Sequence, residues 1–426
     1  MSHSRRDARQ AALSIIRTLR DAGFAALLAG GCVRDMLLGR EAKDFDVVTD
    51  ALPDQVQHAF PRARAVGKQF GVILVRRFKH DIEVATFRTD GGYSNGRRPD
   101  QVRFTNDIED ARRRDFTING MFYDLFNDQV IDHVGGRADL EARIIRTIGD
   151  PHQRFAEDHL RMLRAVRFAT KLDFQIDPQT LAAIRLNAPK LARISPERIW
   201  MELEGIITNP CRARGWELLT ESTLHHHLLK NWDWPADECK MIGARLAALP
   251  PESVSPSLAL AALLCAGSVR RAEMFGRSLR LSNDQIRRTC WLVTELPRVQ
   301  AESSLELADI KVYAAHPGCE DLLALLKAEL TGAHAAAAGH KDQTVYDRVA
   351  AHIRAVDPAD ASPPPLLSGD DLIAAGFTSG PRFGEVLNAV YRAQLNERIT
   401  THADALEMAH RLMENDKRSA NEKQSG

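Results

Sequence analysis

Asp44 and Asp46, in the run Asp44-Phe45-Asp46-Val47-Val48, place two carboxylates two residues apart. On a strand such a pair shares one face while Phe45 and Val47 take the other. Two acids on one face repel unless a cation lies between them. Hard oxygen ligands of this kind suit Mg²⁺ holding the phosphates of a nucleotide; a pair of solvated acids is the plainer alternative. A third acid, Glu83, lies in His80-Asp81-Ile82-Glu83-Val84-Ala85-Thr86-Phe87, facing away from Ile82 and Val84. It is a candidate to complete the metal site or to accept the proton of an attacking hydroxyl, against the alternative of a strand-surface glutamate.

Gly30-Gly31 leaves the apolar run from Phe24 to Ala29 and enters Val33 to Leu38, which carries Arg34 and Asp35. This strand, glycine turn and helix can bring backbone N–H groups to phosphate oxygens, with the helix start favouring an anion and Arg34 adding charge. A dinucleotide fingerprint G-x-G-x-x-G is absent, so by itself the turn is also an ordinary turn. Arg112-Arg113-Arg114 is a second cationic run, either solvated or aimed at a triphosphate.

The residues from Arg154 to Phe168 read as one amphipathic helix with Leu160, Leu163 and Val166 on one stripe. Asp158, Arg161 and Arg164 follow at i, i+3 steps on another. As a surface ion pair Asp158 and Arg161 would contribute only about 0.3–0.5 kcal/mol. Beside a nucleotide site the same two groups present an acceptor and a donor edge to a base. The carboxylate accepts from the exocyclic amino group of cytosine or adenine and Arg161 donates beside it, whereas uracil and guanine offer a carbonyl where that amino group would be. The reading favours CTP and ATP over UTP and GTP.

The elements that must position these residues change character along the chain. Phe24–Ala29, Phe45–Val48, Val72–Arg76, Ile82–Phe87 and Val130–His133 read as strands mixed with helices, and beyond about Arg143 strand signals give way to helical spacing. The expected class is α+β, with a catalytic head over 1–145, a helical neck carrying the base-selecting helix over 146–215, a helical body over 216–360, a helical tail over 361–414 and a disordered end over 415–426. The Ser362-Pro363-Pro364-Pro365 run is the clearest linker. At 426 residues, with 44% hydrophobic and 27% charged residues, the chain has the composition of an ordinary globular protein and none of the signatures of collagen, rods or long disorder. Six scattered cysteines form no C-x-x-C pair, which argues against a zinc ribbon and a disulfide framework. The apolar stretch around Leu258 to Ala266 is short of the roughly 20 residues that cross a bilayer, and the start lacks a signal-peptide core, so a cytoplasmic protein is expected. Basic and acidic residues balance at 57 each, so a nucleic-acid partner must be argued from local clusters.

Gly30-Gly31-Cys32-Val33-Arg34-Asp35, Asp44-Phe45-Asp46, Arg113-Arg114-Asp115-Phe116-Thr117-Ile118-Asn119 and Glu157-Asp158-His159-Leu160-Arg161, in this order, resemble the motifs of the class II tRNA nucleotidyltransferase and bacterial poly(A) polymerase family. The resemblance covers about residues 24–170. It implies a head of the DNA polymerase β type, with Asp44 and Asp46 as catalytic metal ligands for Mg²⁺. It also implies that Gly31, Arg34 and Arg114 meet the incoming nucleotide, that Asp158 and Arg161 select the base, and that Arg164 and Arg167 lie at the nucleotide too. Gly120 stands where the family more often has alanine. The chemistry implied is attack of an RNA 3′-hydroxyl on an α-phosphate with release of pyrophosphate.

Both branches of the family share these motifs, so the later chain must separate them. Leu366-Leu367-Ser368-Gly369-Asp370-Asp371-Leu372, with Gly376, Gly380-Pro381 and Gly384-Glu385-Val386-Leu387, resembles the tail of bacterial CCA-adding enzymes, and the end of the chain is not the strongly basic extension expected of a poly(A) polymerase. The glycine-rich basic stretch Arg88–Arg103, with Gly91-Gly92, Gly96, Arg97-Arg98 and Pro99, resembles the mobile loop that the family needs for the final A. In some relatives a His-Asp pair equips a phosphohydrolase; here Cys265-Ala266 stand at that position and no hydrolase activity is expected, nor do His225-His226-His227 supply one. The expected partners are the tRNA 3′ end with CTP and ATP as substrates, and neither a membrane nor a protein partner. Poly(A) synthesis, addition of CC or A alone, and RNA binding without catalysis are the alternatives.

Overall fold

The computed structural model describes residues 2–42, 44–92, 101–228, 234–252, 254–336, 343–378, 380 and 382–422. Gly96, Arg97, Arg98 and Pro99 of the glycine-rich stretch lie outside the described residues, as do Pro381 and 423–426. The chain forms two compact units, Met1–Cys239 with Ser278–Arg280, and Lys240–Arg277 with Leu281–Gly426.

The first unit opens with α1 (Ser2–Asp21), β1 (Ala26–Ala29), α2 (Gly31–Leu37), β2 (Asp46–Thr49) and α3 (Pro53–Ala59). It continues through β3 (Arg64–Gly67), β4 (Val72–Arg77), β5 (His80–Thr86), β6 (Arg88–Gly91), β7 (Gln101–Phe104), α4 (Asp107–Arg112), β8 (Phe122–Asp124) and β9 (Gln129–Ile131). Seven of these strands make one sheet in the order β3-β4-β5-β2-β1-β8-β9. β2 and β5 run parallel and the other neighbours antiparallel, so the sheet is mixed. All four residues of β1 are buried, and α1 packs on β1, β2, β4 and β5, which explains why this central strand is apolar on both faces. Leu27, Ala29, Val48, Phe87, Ala111 and Phe122 form a core cluster here.

The five strand runs expected from the sequence all lie in this sheet. β3 carried no signal because Arg64, Ala65 and Val66 are exposed on an edge; pairing with β4, not an apolar face, makes it a strand. β8 is too short for a period to register. The glycine-rich stretch, expected as a loop, is a ribbon at its base, where β6 and β7 pair antiparallel from Arg88–Phe104 to Gly91–Gln101.

After α5 (Gly136–Ala142) and β10 (Ile144–Ile145) come α6 (Pro151–Glu157), α7 (Arg161–Leu172), β11 (Gln175–Ile176), α8 (Pro178–Asn187), α9 (Pro196–Ile207) and α10 (Arg212–Glu221). The single helix expected over Arg154–Phe168 is two helices, broken at Asp158. Asp158 is extended, with φ −145° and ψ 106°, and its Oδ1 accepts from Leu160 N at 3.0 Å. That local bond to the residue two ahead competes with the helix ladder, and His159 Nδ1 lies 2.5 Å from Phe155 O across the break.

The second unit is helical in its described residues. Near its end Ser368 and Asp371 cap each other, Asp371 N donating to Ser368 Oγ at 3.3 Å and Ser368 N to Asp371 Oδ2 at 2.8 Å. Leu367, Leu372, Val386, Val390, Ala405 and Ala409 form its local core. The final helix, His402–Glu422, continues past Asn415, where a disordered end was expected; no glycine or proline interrupts it. Among the described residues no helix is long and apolar enough to cross a membrane.

Candidate active site

Burial alternates along the acid run, with Asp44 and Asp46 exposed and Phe45 and Val47 buried, which puts both carboxylates on the open side of the sheet. β5 lies beside β2 with Val47 opposite Val84, so Glu83 holds the corresponding place one residue earlier on the neighbouring strand. The Asp46 carboxyl is pushed up to about 6, first by burial against the sheet, then by Glu83; Arg114 opposes this and Asp44 adds to it. Asp46 keeps an exposed face in spite of that burial, as an acid at the floor of an open cleft does. Among the described residues no group of three or more His, Cys, Asp or Glu side chains is set to hold a metal ion. Two carboxylates alone do not complete the oxygen shell of a hard divalent cation.

Gly30, not Gly31, is the residue that only glycine can supply. Its φ is +73°, and a Cβ there would stand 3.1 Å from Arg114 Nη1 and 4.0 Å from Asp46 Oδ2. The backbone turn, the acid and the arginine thus meet at one point. Gly31 begins α2, and Cys32 beneath it is buried with its thiol pushed up to about 11, mainly by that burial, which leaves it inert.

Arg114 is aimed by Asp110, whose Oδ2 accepts from its Nε at 3.1 Å and Nη2 at 3.0 Å. The other oxygen of Asp110 accepts from Arg113 Nε at 2.8 Å and Nη2 at 2.6 Å, and from Arg88 N at the base of the ribbon at 3.2 Å. Asp110 is fully buried; burial alone would raise its pKa, yet the two guanidinium groups hold it below the ordinary carboxylate range. Arg34 is also buried: Nη1 donates to Asn119 Oδ1 at 2.7 Å and Nη2 to Asp35 Oδ1 at 2.6 Å. Asn119 Nδ2 in turn donates to Asp115 Oδ1 at 3.1 Å. Gly120 follows in a crowded place, where a Cβ would lie 2.7 Å from Val134 Cγ2 and 2.9 Å from Ile148 Cδ1.

The neck extends this network. Asp115 Oδ2 accepts from Arg164 Nε at 3.0 Å and Nη2 at 2.8 Å, and Arg164 holds Asp115 below the ordinary range although burial works against it. Arg167 Nε donates to Glu202 on α9, whose other oxygen lies 3.6 Å from Arg164 Nη1. The paired edge expected of Asp158 and Arg161 is not formed in this state. Asp158 Oδ2 accepts from Arg198 Nη2 at 2.7 Å, while Arg161 donates to Glu157, to Arg154 O at 3.2 Å and to Arg113 O at 3.3 Å. The helix break separates the two side chains that an unbroken helix would have set one turn apart.

The sequence reading assigned no role to Asp110, Asp115, Phe168, Arg198 or Glu202. Asp110 was detectable by its place three and four residues before Arg113 and Arg114, and Glu202 by its position between Trp200 and Leu203 on an apolar helix. The three histidines lie apart, on the turn Leu224–His227, where His225 is buried and held down to about 4, first by that burial and then by His226.

Residues 26–146 match the family described as "Poly A polymerase head domain", residues 173–234 the "Probable RNA and SrmB- binding site of polymerase A", and residues 252–409 the "tRNA nucleotidyltransferase domain 2 putative". A CCA-adding enzyme of Geobacillus stearothermophilus is 36% identical over 409 residues, which cover 93% of this chain and 95% of that protein. One from Streptococcus mutans serotype c is 33% identical over 390 residues, covering 89% of this chain and 91% of that protein. The crystal structure of the Bacillus stearothermophilus CCA-adding enzyme in complex with CTP matches with a TM-score of 0.74 and 31% identity, covering 96% of this chain and 98% of that one. The Thermotoga maritima CCA-adding enzyme complexed with tRNA shares the fold, with a TM-score of 0.64 at 20% identity. With relatives matching it along almost its entire length, this chain belongs to the CCA-adding enzyme family.

Proposed function

We propose that the protein adds C, C and A in turn to the 3′ end of tRNA, using CTP and ATP and releasing pyrophosphate. Relatives of this name matching both chains nearly end to end carry the reading. The meeting of Asp46, Arg114 and the Gly30 turn gives it a chemical centre. We assign the head to 1–145, the neck to 146–215, the body to 216–360 and the tRNA-binding tail to 361–414.

Asp44 and Asp46 fit a divalent cation, because the burial and the neighbouring acids Glu83 and Asp44 that together lift Asp46 to about 6 are offset by positive charge between the carboxylates. Mg²⁺, when bound there, makes the primer 3′-hydroxyl easier to ionise and neutralises charge on the departing pyrophosphate. Glu83, beside Asp46, adds negative potential to the metal site or takes up the hydroxyl's proton. Gly31 at the start of α2 and Arg34 bind the incoming nucleotide. Arg114, fixed by Asp110, meets the triphosphate with a guanidinium that needs no reorientation. Arg164 and Arg167 hold the nucleotide from the neck. Asp158 accepts from the amino group of cytosine or adenine. Its carboxylate has acceptor sites left beyond those used by Leu160 N and Arg198. Arg161 donates to the ring nitrogen or carbonyl beside that amino group, once it turns from Glu157.

The test is extension of a tRNA transcript lacking its last three nucleotides, with Mg²⁺ and each nucleoside triphosphate singly, then CTP with ATP. Two additions with CTP, a third only with ATP, then a stop, are expected. A long ladder with ATP alone would make the protein a poly(A) polymerase, and a stop after CC a partial enzyme. No extension at all would leave RNA binding without catalysis.

A further inference from the structure

Phe168, on α7, is 7% exposed and lies among three cations. The guanidinium carbons of Arg34, Arg164 and Arg167 stand 5.3, 5.2 and 4.5 Å from its ring centre. Phe116 packs edge-on at 5.8 Å and 77°. Each guanidinium has its own carboxylate: Asp35 for Arg34, Asp115 for Arg164 and Glu202 for Arg167. Glu202 also lies 3.6 Å from Arg164 Nη1, and Asn119 joins Arg34 to Asp115, so a polar chain runs through all three arginines. The ring adds to that chain the one contact that all three share directly, since each guanidinium lies over it. A ring face carries negative charge that attracts cations, more strongly where water is thinned, and here that attraction opposes the repulsion among three like charges.

We propose that Phe168 is a positioning residue for the incoming nucleotide: the charge distribution of its ring, beyond its bulk, gathers Arg34 of the head with Arg164 and Arg167 of the neck into one cluster for a nucleoside triphosphate. This rests on the reading of those arginines as nucleotide-binding. A leucine of similar volume fills the space without a negative face, and the cluster then loosens before the nucleotide arrives. Weaker nucleotide binding follows, with smaller change in the chemical step, because neither metal-binding acid touches the ring.

The experiment replaces Phe168 in the full chain with phenylalanines bearing one, two and three ring fluorines, which drain the negative face at nearly constant shape, alongside Phe168→Leu. Single CMP and AMP incorporation on truncated tRNA gives KM and kcat, and calorimetry gives Kd for CTP and ATP. KM and Kd should rise stepwise with fluorine number, on the order of tenfold at three fluorines, with kcat less affected and the melting temperature unchanged. A flat series overturns the proposal and leaves Phe168 a packing residue, even if Phe168→Leu is impaired. If the unsubstituted protein extends no tRNA, the functional reading fails separately, and the Kd series still decides the role of the ring.

Discussion

A carboxyl group buried against the sheet and crowded by two others gives up its proton reluctantly, and Asp46, held at about 6, carries that cost in the folded protein without metal. Its ordinary value is 3.8, so below about pH 4 it is protonated in both folded and unfolded chains and adds no penalty. Between about pH 4 and 6 the unfolded chain ionises while the folded form still holds its proton, so stability falls across that window and levels off above 6. Asp46→Asn should therefore leave the melting temperature in chelator unchanged near pH 4, raise it progressively up to pH 6 and then hold a constant gain. A gain independent of pH would mean that the folded carboxyl is not held above its ordinary value. The same substitution should lower nucleotide incorporation on the order of 100- to 1,000-fold, the scale of one weakened contact in the positive charge that stabilises the reacting phosphate.

Between α6 and α7 the break at Asp158 decides what the residues proposed to select the base can do. Held by Leu160 N and Arg198, the carboxylate presents one orientation, and Asp158→Ala removes the acceptor without touching the metal acids. Misincorporation of UMP and GMP should rise relative to CMP and AMP, by about 10-fold for one lost pairing contact, in single-nucleotide assays on truncated tRNA. Retained selectivity would remove Asp158 from base choice. The break was not legible beforehand because it contains neither glycine nor proline; an aspartate side chain bonding two residues ahead leaves no periodic trace. Asp44 and Asp46, by contrast, were legible, since exposure alternating with Phe45 and Val47 is a property of the strand itself. The pairings of Arg198 and Glu202 were not, because their partners lie 40 and 35 residues away in the chain. Only the fold brings such pairs together.

Across the whole chain the basic and acidic residues cancel at 57 each, so attraction to RNA must come from local arrangement and not from a global field. Binding of tRNA should still weaken linearly with the logarithm of salt concentration. Asp44→Ala should abolish incorporation while keeping that slope and the tRNA affinity nearly intact, as filter binding at several salt concentrations can establish; a lost affinity would put Asp44 in the RNA contact. The passage from a mixed head to helices beyond was legible in the spacing of apolar residues, whereas the edge strand Arg64–Gly67 was not, because exposed residues carry no pattern. The tight place beside Gly120 bears on history. Val134 and Ile148 fill the volume that a methyl group at position 120 would take. Gly120→Ala by itself should cost about 1–3 kcal/mol, and Val134→Ala beside it should return part of that, since Ile148 still crowds the site, as a double-mutant cycle in urea would measure. The two changes are then contingent on each other. A lineage exchanging one for the other must cross a less stable intermediate or make the pocket first, so the order of substitution is constrained by packing alone.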